Sequence, residues 1–124
     1  HRTEFESNQA PILAQNSITC IPYFGLARGF LTGKYRAGVT VDSMRAGGVA
    51  EYQTEKGYAV VSALEEISKI HNSSIAAVAL AWLRAQPQVS TPIASARTVE
   101  QLEEIIQVVE LSSDEVEKLT KLSL

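Results

Sequence analysis

The stretch Ser17-Ile18-Thr19-Cys20-Ile21-Pro22-Tyr23, continued by Phe24-Gly25-Leu26-Ala27-Arg28-Gly29-Phe30-Leu31-Thr32-Gly33-Lys34-Tyr35, decides how this chain is read. Residues 17–23 are β-branched, few and largely apolar, the composition of a strand buried on both faces. Glycines at 25, 29 and 33 then open a connection that runs to about Tyr52 and adds glycines at 38, 47 and 48. Connections this long inside a compact domain are usually functional. Between Gly25 and Arg45 lie four cations (Arg28, Lys34, Arg36, Arg45) and one anion, Asp42. A basic, glycine-bearing loop in a chain of formal charge −3 points to a small anionic ligand rather than a nucleic-acid surface. An ordinary solvated loop is the alternative.

Helical patterning flanks this region on both sides. Phe5, Ile12 and Leu13 give 1–16 a weak helical period that Pro11 interrupts or restarts. From about Thr54, Val60, Val61, Leu64, Ile67 and Ile70 fall on one helical face. Ser74 is placed to cap a second helix with Ile75, Val78, Ala79, Trp82 and Leu83 as its stripe, and Pro87 stops it. Ser90 to Ala94 reads as a second short strand. Thr98 with Gln101, and Ser112 with Glu115, carry the capping-box spacing before two further apolar stripes, Leu102, Ile105, Ile106, Val109 and Val116, Leu119, Leu122. His71, next to the Asn-Ser-Ser break, is expected to be a surface loop residue. Strands alternating with helices imply parallel α/β architecture, yet two strands cannot make a self-sufficient parallel sheet. Further strands must come from elsewhere.

Composition narrows the function classes. The chain has 124 residues, 45% of them hydrophobic and 20% charged, an ordinary globular make-up with room for one domain. The longest apolar run, Ile75 to Leu83, is well short of the ~20 residues a bilayer requires, so no membrane partner is expected. One cysteine, Cys20, builds neither a disulfide framework nor a metal site. No leader pattern opens the chain, and a cytoplasmic location is the expectation.

IPYFGLARGFLTGKY (residues 21–35) closely resembles the seventh-strand region of the aldo-keto reductases. VALAWLRAQPQVSTPIASARTVEQLEE (residues 78–104) resembles that family's eighth strand and following helix, and HRTEFE resembles its text after the sixth strand. The resemblance runs through residues 1–124 in order and implies a carboxy-terminal portion of a single (β/α)8 TIM barrel, with two parallel strands and flanking helices. It further implies NADPH as cofactor and an aldehyde or ketone as substrate. The family's catalytic tyrosine, lysine, aspartate and histidine lie in the first half of the barrel, so none is expected here. Phe24, Gly25, Leu26 and Arg28 fall where the family's loop meets the nicotinamide ribose and pyrophosphate. Lys34 aligns with a pyrophosphate-contacting lysine, a point charge that needs no fixed geometry, and Arg45 with an arginine over the adenine. Ser95 and Arg97 match positions facing the 2′-phosphate, where the start of the helix after Thr98 also aims its amides. Gln101 and Glu104 match adenosine contacts one helical turn apart. Phe24-Gly25 replaces the family's Ser-Pro, and Ile105 its asparagine, each removing a polar contact.

Two other readings stand beside the reductase. One is a nucleotide-binding module that serves a partner protein, as in potassium-channel β-subunits. The other is a truncated product that self-associates or complements the missing half of the barrel through open strand edges.

Overall fold

Thr54, Ser74, Thr98 and Ser112 all sit in extended backbone, and each accepts a hydrogen bond from the amide three residues on. These four caps start the four carboxy-terminal helices of the computed structural model, which describes residues 2–39, 41 and 46–124. The donors are the amides of Gly57 and Ala77 at 3.0 Å and of Gln101 and Glu115 at 3.3 Å. Each such cap contributes about 1 kcal/mol to its helix. At Ser112 the box is complete, because Glu115 also accepts from the Ser112 amide.

Along the chain, α1 (Arg2–Glu4) runs through a π-helical turn (Phe5–Gln9) into α2 (Ala10–Gln15), and Pro11, which has no N–H to donate, follows directly on the π-helical turn. Three short 3-10 turns follow at Ala27–Thr32, Ala46–Gly48 and Ala50–Tyr52. Then come α3 (Glu55–Ile70), α4 (Ile75–Arg84), α5 (Val99–Ile105) and α6 (Ser113–Leu122). Helix α4 packs on α3, on α5 and on the 27–32 turn, while α6 packs on α3. Ala63, Leu64 and Ile67 of α3 meet Ala77, Val78, Ala79 and Ala81 of α4 and Leu119 of α6 in the main core. A second cluster joins Phe30, Tyr35 and Val49 to Val61 of α3.

The two expected strands shrink to one parallel bridge between Cys20 and Val89 among the described residues. The Cys20 amide donates to Gln88 at 2.6 Å, the Ser90 amide to Cys20 at 3.0 Å and the Ile93 amide to Pro22 at 2.9 Å. The register is that of adjacent parallel strands. Pro22 and Pro92 have no N–H to donate, which breaks the ladder after its first rungs. The reading of 17–23 as buried on both faces also fails, since Ile18 and Ile21 are each 53% exposed and Tyr23 is 73% exposed. A single bridged neighbour covers too little of an apolar strand.

Two helix-face expectations and the placement of His71 need correction too. Ile70 is 74% exposed, because α3 ends there and Asn72 turns the chain with φ +48°. Helix α5 ends at Ile105 and buries no residue, so Leu102 and Ile106 stay exposed while Val109 reaches the core from the following extended segment. His71 is half-buried, with Nε2 at 2.9 Å and 3.1 Å from the two carboxylate oxygens of Glu115. It joins the end of α3 to the start of α6.

Candidate functional site

The turn after Tyr23 is built on unusual backbone. Ala27, Arg28 and Gly29 are left-handed in succession, with φ of +46°, +56° and +91°. For a non-glycine residue that conformation costs ~1–2 kcal/mol, so two together mark a constrained site. The amide of Ala27 donates to Phe24 and that of Gly29 to Leu26, both at 2.8 Å, and the Thr32 hydroxyl donates to the Gly29 carbonyl at 2.8 Å. Gly33 closes the turn with φ +82°, and a Cβ there would collide with Ile75. That contact seats the turn on the first residue of α4.

The turn forms one wall of a cleft of about 700 Å³, and residues 93–105 form the other. Phe24, Leu26, Arg28 and Lys34 line the first wall, and Ser95, Arg97, Gln101 and Glu104 the second. Two segments some sixty residues apart in sequence, each singled out for anion chemistry, thus face one space. Three cations and one carboxylate lie in the lining, which favours an anionic ligand. Lys34 and Arg97 are exposed, and among the described residues neither forms an ion pair. The Lys34 side chain folds back over the turn: its Cε and Nζ lie 3.4 Å from where a Cβ on Gly29 would stand. Its Nζ lies 5.0 Å from the Tyr35 ring centroid.

The second wall fixes its own polar groups. Gln101 accepts from the Arg97 amide at 3.0 Å through its side-chain oxygen, while Thr98 takes the Gln101 amide. Those two amides are used within the chain, and α5 is only 7 residues long, so the charge of this wall rests on the Arg97 side chain rather than on the helix end. Glu100 is held below the ordinary carboxylate range by its own amide and the Thr98 hydroxyl. The last turn of α5 is tied to α4, since the Ser74 hydroxyl donates to the Glu104 carbonyl at 2.7 Å and the Gln107 side chain accepts from the Ser74 amide at 2.7 Å.

One expected site residue is absent from the cleft lining and one lies outside the described residues. Gly25 is behind the wall, where a Cβ would stand 2.9 Å from Leu83, 3.3 Å from Leu80 and 3.7 Å from Pro92. Its role is close packing of the turn on α4. Arg45 lies outside the described residues. Conversely, Tyr23 lines the cleft with its ring 4.4 Å from that of Phe24, an exposed aromatic pair that the sequence reading left inside a buried strand.

The family model described as the aldo/keto reductase family matches residues 2–124. The chain belongs to that family. This aldo/keto reductase chain is 31% identical over 117 residues to an L-glyceraldehyde 3-phosphate reductase of Escherichia coli O157:H7, covering 89% of the chain and 34% of that protein. It is 35% identical over 97 residues to the NADP(+) aldo-keto reductase yakc of Schizosaccharomyces pombe, covering 73% and 28%. A candidate voltage-gated potassium channel subunit beta of the same yeast is 31% identical over 129 residues, covering 96% and 36%. The aldo/keto reductase chain spans about a third of the length of these curated relatives. Among solved structures, the glycerol dehydrogenase of Gluconobacter oxydans superposes with a TM-score of 0.73 at 23% identity, over 95% of this chain and 38% of that one. The architecture is therefore that of part of an aldo/keto reductase barrel.

Proposed function

We propose that the chain supplies the cofactor-holding part of an NADPH-dependent oxidoreductase that reduces aldehydes or ketones to alcohols. The observation that carries this reading is the single cleft shared by residues 24–34 and 93–105, lined by Arg28, Lys34 and Arg97. NADPH has two anionic groups, the pyrophosphate and the 2′-phosphate, and the cleft has cations on two walls. Lys34 suits the pyrophosphate as a mobile point charge. Arg97, with the Ser95 hydroxyl near it in sequence, suits the adenosine 2′-phosphate, where a guanidinium can bond two oxygens at once. Gln101 keeps its amide hydrogens for the adenosine, because its oxygen is occupied by the Arg97 amide. Glu104 supplies the acceptor on the same helical face. The name of the yeast NADP(+) relative supports the choice of NADPH over NADH.

When bound, the cofactor supplies hydride to the carbonyl carbon. This chain's own residues hold and orient it, and Tyr23 and Phe24 offer ring faces beside the turn. The proton-donating tyrosine and its lysine, aspartate and histidine partners belong, by the resemblance, to the part of the barrel outside these residues. The exposed Ile18, Ile21, Tyr23 and Ile93 support packing of this face on the remaining strands, or on a second copy in their absence. Among the described residues no helix is long and apolar enough to cross a membrane, and we place the protein in the cytoplasm.

The channel-subunit relative supports a second reading, a nucleotide-binding module without turnover. Binding distinguishes both readings from an inert fragment, and NADPH-linked carbonyl turnover by the protein containing this chain separates the two. In a titration of NADPH and NADH, Arg97→Ala is expected to weaken NADPH by ~10–100-fold, the equivalent of a charge-assisted hydrogen bond of ~1.5–3 kcal/mol. NADH affinity should stay within about two-fold, because it carries no 2′-phosphate. Equal loss for both nucleotides would sink the 2′-phosphate assignment.

A further inference from the structure

The two walls of the cleft meet on the first residues of α4. Gly33 seats the 27–33 turn on Ile75, so closely that a Cβ would collide with the Ile75 δ-methyl. Ser74, one residue earlier, holds the other wall. Its hydroxyl donates to the Glu104 carbonyl at 2.7 Å, and its amide donates to the Gln107 side-chain oxygen at 2.7 Å. The same hydroxyl accepts from the Ala77 amide at 3.0 Å, so the residue that starts α4 also fastens the end of α5. Helix α5 buries no residue, and both Val99 and Leu102 are exposed. Yet it carries Gln101 and Glu104 into the cleft, with Arg97 just before them. The joint itself is anchored on the body of the chain. Ile75 packs against the main core, the Ser73 amide donates to the Ser68 carbonyl at 2.9 Å, and His71 pairs with Glu115 at 2.9 Å. The walls are also joined where the Ile93 amide donates to the Pro22 carbonyl.

We propose that Ser74, Ile75 and Gln107 are positioning residues that set the gap between the two walls, and with it the affinity for a ligand that touches both. None of the three lines the cleft, so each acts through the wall it holds. The proposal rests on the cofactor reading above for its ligand, NADPH, whose two anionic groups are assigned there to opposite walls. Once one group of such a ligand is bound, the second contact is intramolecular, and its strength depends on how well the other wall is held in reach. A wall that is not fastened must be ordered on binding, at a cost to affinity. A ligand confined to one wall does not sense the gap.

The test compares two ligands in the protein containing this chain: NADPH, which bridges the walls, and adenosine 2′-monophosphate, which reaches only the second. Gln107→Ala leaves the Ser74 cap on α4 in place. It is expected to weaken NADPH by about three- to ten-fold, the range of one hydrogen bond, with adenosine 2′-monophosphate held within about two-fold. Gln107→Glu keeps an acceptor for the Ser74 amide and should restore the affinity. Ile75→Val removes the δ-methyl beneath Gly33 and should give the same split from the other wall. In the nucleotide-free protein, Gln107→Ala should speed amide exchange at 99–106 several-fold and leave α3 unchanged, because only the wall is loosened. Equal losses for the two ligands would overturn the proposal, since Gln107 would then shape one wall rather than the gap. So would unchanged NADPH affinity, or unchanged exchange, in Gln107→Ala. A wild-type protein that binds neither ligand would sink the cofactor reading, while exchange at 99–106 would still decide the joint.

Discussion

On the side where α3, α4 and α6 meet, the chain closes on itself. Leu64, Ile67, Val78 and Leu119 are buried, and three polar pairs cross the seam: Lys118 with Glu66, His71 with Glu115, and the Trp82 indole N–H with Thr120. On the side where 24–34 faces 93–105 the pattern is reversed. Tyr23, Phe24, Lys34 and Arg97 are exposed, the backbone at Ala27 and Arg28 is left-handed, and the cations Lys34 and Arg97 form no ion pair among the described residues. One side satisfies its own groups, and the other keeps them available. Stability and binding are thereby assigned to different residues, and substitutions can separate them.

Leu64→Ala should have the largest effect, a loss of ~2–5 kcal/mol in urea unfolding, because it empties a fully packed position between α3 and α4. The nucleotide affinity of the chain that remains folded should not move. A parallel loss of affinity would break the division between the two sides. Lys34→Ala is the converse. It should weaken NADPH by about ten-fold, ~1.4 kcal/mol, and leave the unfolding midpoint in place, because the ammonium is exposed and joins no ion pair among the described residues. A shifted midpoint would mean that the lysine stabilises the turn.

The smallest effect concerns the α3–α6 seam. Burial pushes the Glu115 carboxyl up, but the Ser112 amide and hydroxyl and His71 together hold it below the ordinary value of 4.5. A group whose folded pKa is depressed contributes stability that is present above the ordinary value and is lost as pH falls through the folded one. Glu115→Gln should therefore flatten the acid side of the stability profile by about 1 kcal/mol or less. An unchanged profile would remove Glu115 from the seam's pH dependence.

The closed side was the easier one to read in the sequence. Ser74 and Ser112 carry their capping chemistry within three residues, and α3 and α4 carry their core face in a local period. The candidate site was legible as two motifs: Lys34 lies in a basic, glycine-bearing loop, whereas Arg97 opens an acidic stretch and was marked by the family resemblance alone. That they share one cleft depends on how 20–22 and 88–93 pair, and no local pattern encodes such a pairing. The packing of Gly25 on α4 was not legible, because a glycine beside a ligand loop and a glycine packed on Leu83 look alike in sequence. Tyr23 and Ile21 were misread as interior because burial of a strand is set by neighbours rather than by its own residues. His71 owes its partner to Glu115, forty-four residues away.

The most direct test of the central claim is amide exchange of the wild-type chain with and without saturating NADPH, read segment by segment. The account predicts slowed exchange at both 24–34 and 93–105, with α3 and α6 unchanged. Protection confined to one segment, or spread over α3 and α6 alone, would contradict the claim that two distant motifs form one dinucleotide site.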